Sequence, residues 1–214
     1  MKKKIFTTAL AIALIVLSIA GSSLAYFTDV EEATNVFTAG NVDIKLTYGG
    51  KVADADDTAL EPVRISSHVY PGQSYEVNAT ISNIGTEKAY VGAIVTIGGA
   101  ELAEILADPA ADGKISPLSL LSGYGSDTTA KCTVEGGVYK IYIVKAVELA
   151  ASANELIFGS ISIPAAWDHV QMNAFKTATV TVKAYATQVV GFSDAESALM
   201  AAFPDWAGYP STNP

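Results

Sequence analysis

The chain has 214 residues, half of them hydrophobic, and carries a formal net charge of −9. An acidic chain lacks the positive surface that binding to nucleic acid or to anionic membranes requires. With one cysteine, Cys132, it cannot form an intramolecular disulfide, so burial alone must hold its core together.

The first 25 residues have the three parts of an export signal. Residues 2–4 are lysines, residues 5–20 form an uncharged and mostly apolar run, and residues 21–25 end in small side chains. The apolar run falls short of the roughly 20 residues that span a bilayer, which favours a cleaved signal over a membrane anchor. We expect cleavage between Ala25 and Tyr26, which leaves 10 basic and 22 acidic residues and a net charge of −12. The remaining chain suits one secreted domain that meets a membrane only during export.

Alternation of apolar and polar residues predicts strands along most of the remaining chain. The clearest alternations cover residues 41–48, 74–83, 89–97 and 177–190. Two further strand-like runs flank Gly-Gly at residues 136–137, a pattern typical of a tight hairpin. We predict about eight short strands, and hence a mainly β chain folded as an antiparallel β-sandwich with short inserted helices.

The connections between these strands are predicted from composition. Residues 100–107, 146–154 and 194–203 have helical composition, and Ser193 is the expected N-cap of the last helix. The short turn around Gly85 predicts that residues 74–83 and 89–97 form a hairpin. Loops are expected over residues 51–61 and 108–127.

The chain shows no motif for catalysis or for metal binding. A zinc peptidase needs three protein ligands and a general base, but His68 and His169 lie far apart and no His-Glu-x-x-His motif occurs. We expect no catalytic residue, no cofactor and no metal ligand, although the two histidines could still meet in space with a carboxylate. Cys132 lies in a strand-like run and is expected to be a buried, unreactive thiol.

Three aspartates in one predicted loop are the other candidate cation ligands. Asp54, Asp56 and Asp57 stand at or near alternate positions and could supply oxygen atoms. The glycine and the terminal glutamate of an EF-hand loop are missing, so we expect a solvated loop.

Several motifs together resemble the TasA/camelysin family. In chain order they are Tyr26-Phe-Thr-Asp29, Asn35-Val-Phe-Thr-Ala-Gly40, Val42-Asp-Ile-Lys-Leu46, Val69-Tyr-Pro-Gly-Gln73, Ile81-Ser-Asn-Ile-Gly-Thr86 and Val182-Lys-Ala-Tyr-Ala-Thr-Gln188. Members of this family are secreted proteins of Gram-positive bacteria that a SipW-type signal peptidase cleaves. The resemblance implies a jelly-roll-like arrangement of the sandwich and a location in the extracellular matrix or at the cell surface.

The resemblance also implies a structural role in biofilm matrix. On this hypothesis the chain divides into a signal peptide (1–25), an N-terminal assembly segment (26–40), a β-sandwich domain (41–203) and a C-terminal tail (204–214). The assembly segment leaves its own domain and adds to a sheet edge of the next copy, which gives a head-to-tail homopolymer. The side chains expected to fill the acceptor are Phe27, Val30, Val36 and Phe37. The alternative for this segment is that it pairs within its own domain.

Two other functions remain open at this level. The chain could be a camelysin-like secreted metalloendopeptidase. It could also be a cell-surface binding module that uses exposed aromatic residues, for which the candidates are Trp167, Trp206 and Tyr209.

Overall fold

The computed structural model describes residues 28–30, 42–48, 51–53, 70–110, 113–176 and 178–210. The strands are β1 (Thr28–Val30), β2 (Ile44–Tyr48), β3 (Lys51–Ala53), β4 (Ser74–Asn83), β5 (Ala89–Gly98), β6 (Leu121–Ser122), β7 (Thr128–Glu135), β8 (Val138–Lys145), β9 (Asn154–Ser162) and β10 (Thr179–Gln188). The helices are α1 (His169–Lys176) and α2 (Ala195–Ala202), with 3-10 turns at Leu102–Glu104, Pro117–Leu120 and Pro204–Trp206. Within these described ranges, no helix is long and apolar enough to cross a membrane.

The strands form two five-stranded sheets. Sheet A has the order β1-β10-β5-β8-β7, and sheet B has the order β3-β2-β4-β9-β6. Every strand pair in both sheets is antiparallel. The predicted antiparallel β-sandwich is therefore confirmed.

The main core lies between the two sheets. Alternate residues of the strands face inward, as the sequence pattern predicts. The inward side chains include Ile44, Leu46, Val77, Ile81, Val91, Val95, Ile141, Ile143, Ile157, Ile161, Val180 and Val182. Two-residue alternation alone was enough to identify the buried face of most strands.

A second core covers the outer face of sheet A. Residues 189–209, which we call the C-terminal cap, contain α2 and the 3-10 turn that follows it. The buried residues here are Tyr90, Ile94, Tyr142, Val144 and Tyr185 from the sheet, with Ala195, Ala198, Leu199, Phe203, Trp206 and Tyr209 from the cap. Because both faces of β5 are covered, seven consecutive residues of that strand, from Ala89 to Val95, are buried.

Two tight turns depend on glycine, and the first of them is the predicted hairpin. Gly136 and Gly137 have φ values of 59° and 80° and connect β7 to β8, with Glu135 paired to Val138. Two consecutive positive φ angles are the type I′ geometry that suits the twist of a hairpin. In the second turn, Gln73 N donates to Tyr70 O at 3.3 Å, and Gly72 supplies the positive φ of 78°.

The predicted hairpin of residues 74–83 and 89–97 is wrong. β4 lies in sheet B between β2 and β9, whereas β5 lies in sheet A between β10 and β8. The buried side chain of Asn83 explains the crossing, because its Oδ1 accepts from Gly85 N at 3.0 Å and its Nδ2 donates to Leu149 O at 3.1 Å. These bonds turn the chain out of sheet B and direct it across the core.

Two predicted helices are also wrong or shortened. Residues 146–154 form no helix, because Leu149 exchanges two backbone hydrogen bonds with Ala89, at 2.8 and 3.0 Å. Residues 100–107 contain only the 3-10 turn Leu102–Glu104, and Leu106 then forms a bridge with Ile115. In both places a partner distant in sequence uses the backbone groups that a helix would need.

Smaller corrections concern helix ends and loops. Asp194, not Ser193, caps α2, since its side chain accepts from Ser197 N at 2.8 Å. The expected loop of residues 51–61 begins with strand β3. The expected connection of residues 108–127 contains β6, and Leu121 of that strand is buried.

Candidate functional site

The N-terminal strand lies at one edge of sheet A. β1 pairs with β10 in antiparallel register, with Thr28 opposite Thr187, Asp29 opposite Ala186 and Val30 opposite Tyr185. Within the described residues, β1 therefore pairs in its own domain, which was the alternative left open by the sequence. Its backbone supplies the last strand of the sheet.

β1 occupies only part of the edge that β10 offers. On its inner side β10 pairs with β5 over all ten residues, from Thr179 to Gln188. On its outer side the described strands reach only Tyr185 to Thr187. The stretch from Thr179 to Ala184 has no outer strand partner among the residues described, and an edge of this kind accepts an added strand.

On the outer face of sheet A, the C-terminal cap contacts the part of β10 that pairs with β1. Tyr185 Oη donates to Asp205 Oδ2 at 2.6 Å, and Lys183 Nζ donates to the same oxygen at 2.9 Å. These two bonds hold the pKa of the Asp205 carboxyl below its usual range, and the bond from Tyr185 has the larger effect. Tyr185 also packs edge-on against Trp206, with ring centroids 5.6 Å apart. The cap thus holds β10 in position next to β1.

Most of the predicted assembly residues lie outside the described part of the chain. This applies to the cleavage site at Ala25 and Tyr26 and to Phe27, Val36 and Phe37. Val30 is placed by its backbone alone, opposite Tyr185.

The other edge of sheet A is β7. It pairs with β8 in unbroken register from Thr128 opposite Lys145 to Glu135 opposite Val138. No second strand pairs with it among the described residues. Sequence reasoning found this hairpin but not its position at the edge, which depends on the order of the whole sheet.

Two of the candidate groups for metal or nucleophile chemistry, His169 and Cys132, lie in the described residues. No group of three His, Cys, Asp or Glu side chains there could hold a metal ion, and His169 is exposed at the start of α1. His68, Asp54, Asp56 and Asp57 lie outside that part of the chain. Cys132 is buried, as predicted, and burial raises the pKa of its thiol to about 12, with a further contribution from the charge of Asp108. A thiol that stays protonated is a poor nucleophile.

A cleft of about 100 Å³ contains the one buried lysine of the described residues. Lys145 Nζ lies 2.7 Å from Glu155 Oε1 and 2.9 Å from Thr128 Oγ1, and it also donates to Ser126 O. Lys145 belongs to β8 in sheet A and Glu155 to β9 in sheet B, so this pair connects the two sheets. All three ammonium donors are used, which gives Lys145 a structural role. No sequence pattern marked this residue.

The aromatic residues considered for ligand binding are buried. Trp206 is fully buried, and Trp167 and Tyr209 are 7% and 5% exposed. Trp206 and Tyr209 belong to the second core, and Trp167 packs on Phe175 with centroids 5.4 Å apart. Their role is packing, so the prediction of exposed binding aromatics is wrong.

Comparison with known proteins gives one match. Residues 1–88 match the family model described as camelysin metallo-endopeptidase. The matched part contains β1 to β4 and the motifs from Tyr26 to Thr86. No curated protein and no solved structure matches the chain.

Proposed function

Because residues 1–88 match the camelysin family model and the motifs of the chain resemble the TasA/camelysin family, we propose that it is a secreted structural protein that assembles into extracellular fibres of a biofilm matrix. The fibre forms by exchange of the N-terminal strand between neighbouring copies. One observation carries this proposal: β1 pairs with three positions of the ten-residue strand β10, and among the described residues no other strand pairs with that outer edge.

Exchange keeps the bonds that the single domain already makes. In the fibre, Thr28–Val30 of one copy lies opposite Tyr185, Ala186 and Thr187 of the next copy. If the register of β1 continued by the same antiparallel rule in the fibre, Glu32 would lie opposite Lys183, and Val36 opposite Thr179, of the next copy. Opposite charges at facing positions stabilise a strand pair. A head-to-tail contact that does not close on itself produces a filament.

Processing of the leader gives this assembly a control point. Before cleavage at Ala25, the assembly segment is continuous with the export signal and cannot lie along a neighbouring molecule. Cleavage by a SipW-type peptidase frees Tyr26 as the new N-terminus. The partners of the protein in this scheme are the peptidase and further copies of itself.

The test replaces two apolar residues of the segment. Secreted Phe27→Asp/Val30→Asp protein is expected to stay monomeric, since two carboxylates cannot enter an apolar acceptor without a large desolvation cost. Negative-stain electron microscopy measures fibres, and thermal unfolding confirms that the monomer is folded. A control with the same added charge, Ser211→Asp/Thr212→Asp, should form fibres as the unmodified chain does. Normal fibres from the Phe27/Val30 variant would show that the N-terminal strand is not exchanged.

A camelysin-like metalloendopeptidase is the second candidate, favoured by the description of the matching family. Its ligands would have to include residues outside the described part of the chain, such as His68. It predicts one zinc ion per chain and proteolysis that a chelator abolishes. Metal analysis and a peptidase assay on the secreted protein distinguish it from the fibre protein.

A further inference from the structure

We propose that β7 is a second self-association surface, at which two copies pair their β7 strands antiparallel about a two-fold axis through Thr133. This contact is separate from the N-terminal exchange and does not depend on it. It would join two molecules through their sheets A, at the edge opposite to β1.

The first observation is that the backbone of β7 carries no protection against strand addition, although Glu135 at its end is 80% exposed. Protected edges carry a proline, a bulge or a charged side chain that projects from the edge. β7 has no proline, and its eight residues pair with β8 without a register shift. Lys131 does not project freely, because its Nζ lies 3.4 Å from Glu196 and 4.3 Å from the centre of the Tyr209 ring.

The second observation is the direction of the outer backbone groups. The two-residue turn places a hydrogen bond between Glu135 and Val138, and hydrogen-bonded pairs then alternate along the hairpin. Residues 135, 133 and 131 therefore direct their N–H and C=O groups towards β8. Residues 134, 132 and 130 direct theirs towards the outer edge, where a second strand can bind them.

Charge selects one register among those that these groups allow. With Thr133 opposite Thr133 of the second copy, position 131 of each copy faces position 135 of the other. Glu135 would then join Glu196 as a second carboxylate beside the Lys131 ammonium. With Lys131 on the axis instead, two lysines would face each other, and like charges at facing positions are destabilising. The Thr133 register thus forms two complementary pairs from one strand.

Burial supports the same register. Val134 is 47% exposed, which makes it one of the few large hydrophobic residues that the described chain leaves in solvent. In the Thr133 register it lies opposite Cys132 of the second copy, in a hydrogen-bonded pair. The glutamate that faces Lys131 is available, because Glu135 is 80% exposed in its pair with Lys140. Pairing therefore covers an apolar side chain and uses an exposed charge.

The small size of the β7 contact predicts a low affinity between two free molecules. In this register β7 overlaps its copy over five residues, 131–135, and so short a pairing buries less surface than the roughly 1,200 Å² of a stable complex. Two free molecules should therefore associate weakly. When copies are already joined in a fibre, many β7 contacts can form together, because each one raises the effective concentration for the next. Two fibres would then lie side by side.

Cysteine cross-linking tests the register directly. Thr133 on the axis forms a non-hydrogen-bonded pair with itself, with Cα atoms about 4.5 Å apart, which suits a disulfide. Secreted Cys132→Ala/Thr133→Cys protein is expected to give a disulfide dimer under mild oxidation on non-reducing gels. The matched control, Cys132→Ala/Thr129→Cys, lies on the same face of the same strand but far from its copy and should stay monomeric. Equal cross-linking of the two variants would refute the register.

Charge reversal tests the pairing in a second way. Adding Glu135→Lys to the Thr133→Cys protein places Lys131 opposite a lysine twice and should reduce dimer formation about tenfold. Mixing this protein with a Lys131→Glu/Thr133→Cys protein restores two opposite-charge pairs and should restore cross-linking between them. Unchanged cross-linking of the Glu135→Lys protein would contradict the proposal. The Phe27→Asp/Val30→Asp changes should leave the Thr133 cross-link intact, which separates this contact from strand exchange.

Discussion

The two outer faces of the sandwich are stabilised in different ways. The outer face of sheet A lies under the C-terminal cap and is aromatic. At Gly92 the fit is so close that an added Cβ would lie 2.7 Å from Leu199 Cδ1 and 2.8 Å from the Trp206 ring. The outer face of sheet B is lined instead with hydroxyl groups that bond across the strands.

The hydroxyl groups of sheet B form a short chain. Ser162 on β9 lies 2.8 Å from Ser74 on β4 and 2.9 Å from Ser122 on β6, measured between side-chain oxygens. Ser122 is also 2.9 Å from Ser160. If such a hydroxyl group is removed, water can take over its hydrogen bonds at a small cost in stability. If a buried aromatic ring is removed, a cavity remains and the cost in stability is large. Sheet A, whose two edges carry the proposed contacts between molecules, is thus the more rigidly supported sheet.

The largest expected effect comes from removing the centre of the cap. Trp206 is fully buried and contacts Tyr142, Tyr185 and Tyr209, with ring centroids 5.5 to 5.7 Å away. Trp206→Ala should lower the free energy of unfolding by about 3–5 kcal/mol, the usual cost of a large cavity. Denaturant unfolding of the purified protein measures this value. A loss below about 1 kcal/mol would mean that the cap contributes little to the stability of sheet A.

A smaller effect is expected where the cap meets β10. Asp205→Asn removes the charge that Lys183 and Tyr185 contact, and because the carboxylate is half exposed the cost should stay below about 1 kcal/mol. Since folding lowers the pKa of Asp205, its stabilisation is complete above the unfolded pKa of about 4 and is lost as pH falls through the folded pKa. The difference in melting temperature between the variant and the unmodified chain should therefore narrow below pH 4. A difference that stays constant from pH 7 to pH 2 would exclude this ionic contribution.

The smallest effect is expected on the outer face of sheet B. Ser162→Ala removes two hydroxyl contacts on a partly exposed surface, so it should change the free energy of unfolding by less than about 1 kcal/mol. Unfolding under the same conditions as for Trp206→Ala gives the comparison. A loss as large as that of the tryptophan variant would remove the distinction between the two faces.

The sequence predicts the elements that depend on neighbouring residues. Alternation located β2, β4 and β10 with their correct inward faces, and Gly136-Gly137 located the β7–β8 hairpin, because side-chain period and turn geometry are local properties. The crossing from β4 to β5 was missed because it depends on the buried Asn83 and its bond to Leu149, far along the chain. The helix expected around Leu149 failed for the same reason.

In the candidate site, too, local features could be predicted from the sequence and long-range ones could not. The motifs drew attention to the N-terminal segment, and β10, with which it pairs, was the longest clean alternation in the chain. That these two strands are neighbours could not be predicted, because it follows from the order of sheet A as a whole. The same holds for β7 as the opposite edge, and for the pairing of Lys145 with Glu155 across the sandwich.

The order of strands in sheet A also has a kinetic consequence. β1 is the first strand of the described chain, and its partner β10 is the last. A chain made from its N-terminus at about 5–20 residues per second has a complete first strand on the order of 10 s before its own acceptor exists. If the leader is cleaved during this delay, the finished β10 of an older molecule nearby offers the same backbone groups in the same register. The choice between a closed monomer and a growing chain of molecules would then depend on crowding at the site of release, and a cell could adjust it through the rate of secretion alone.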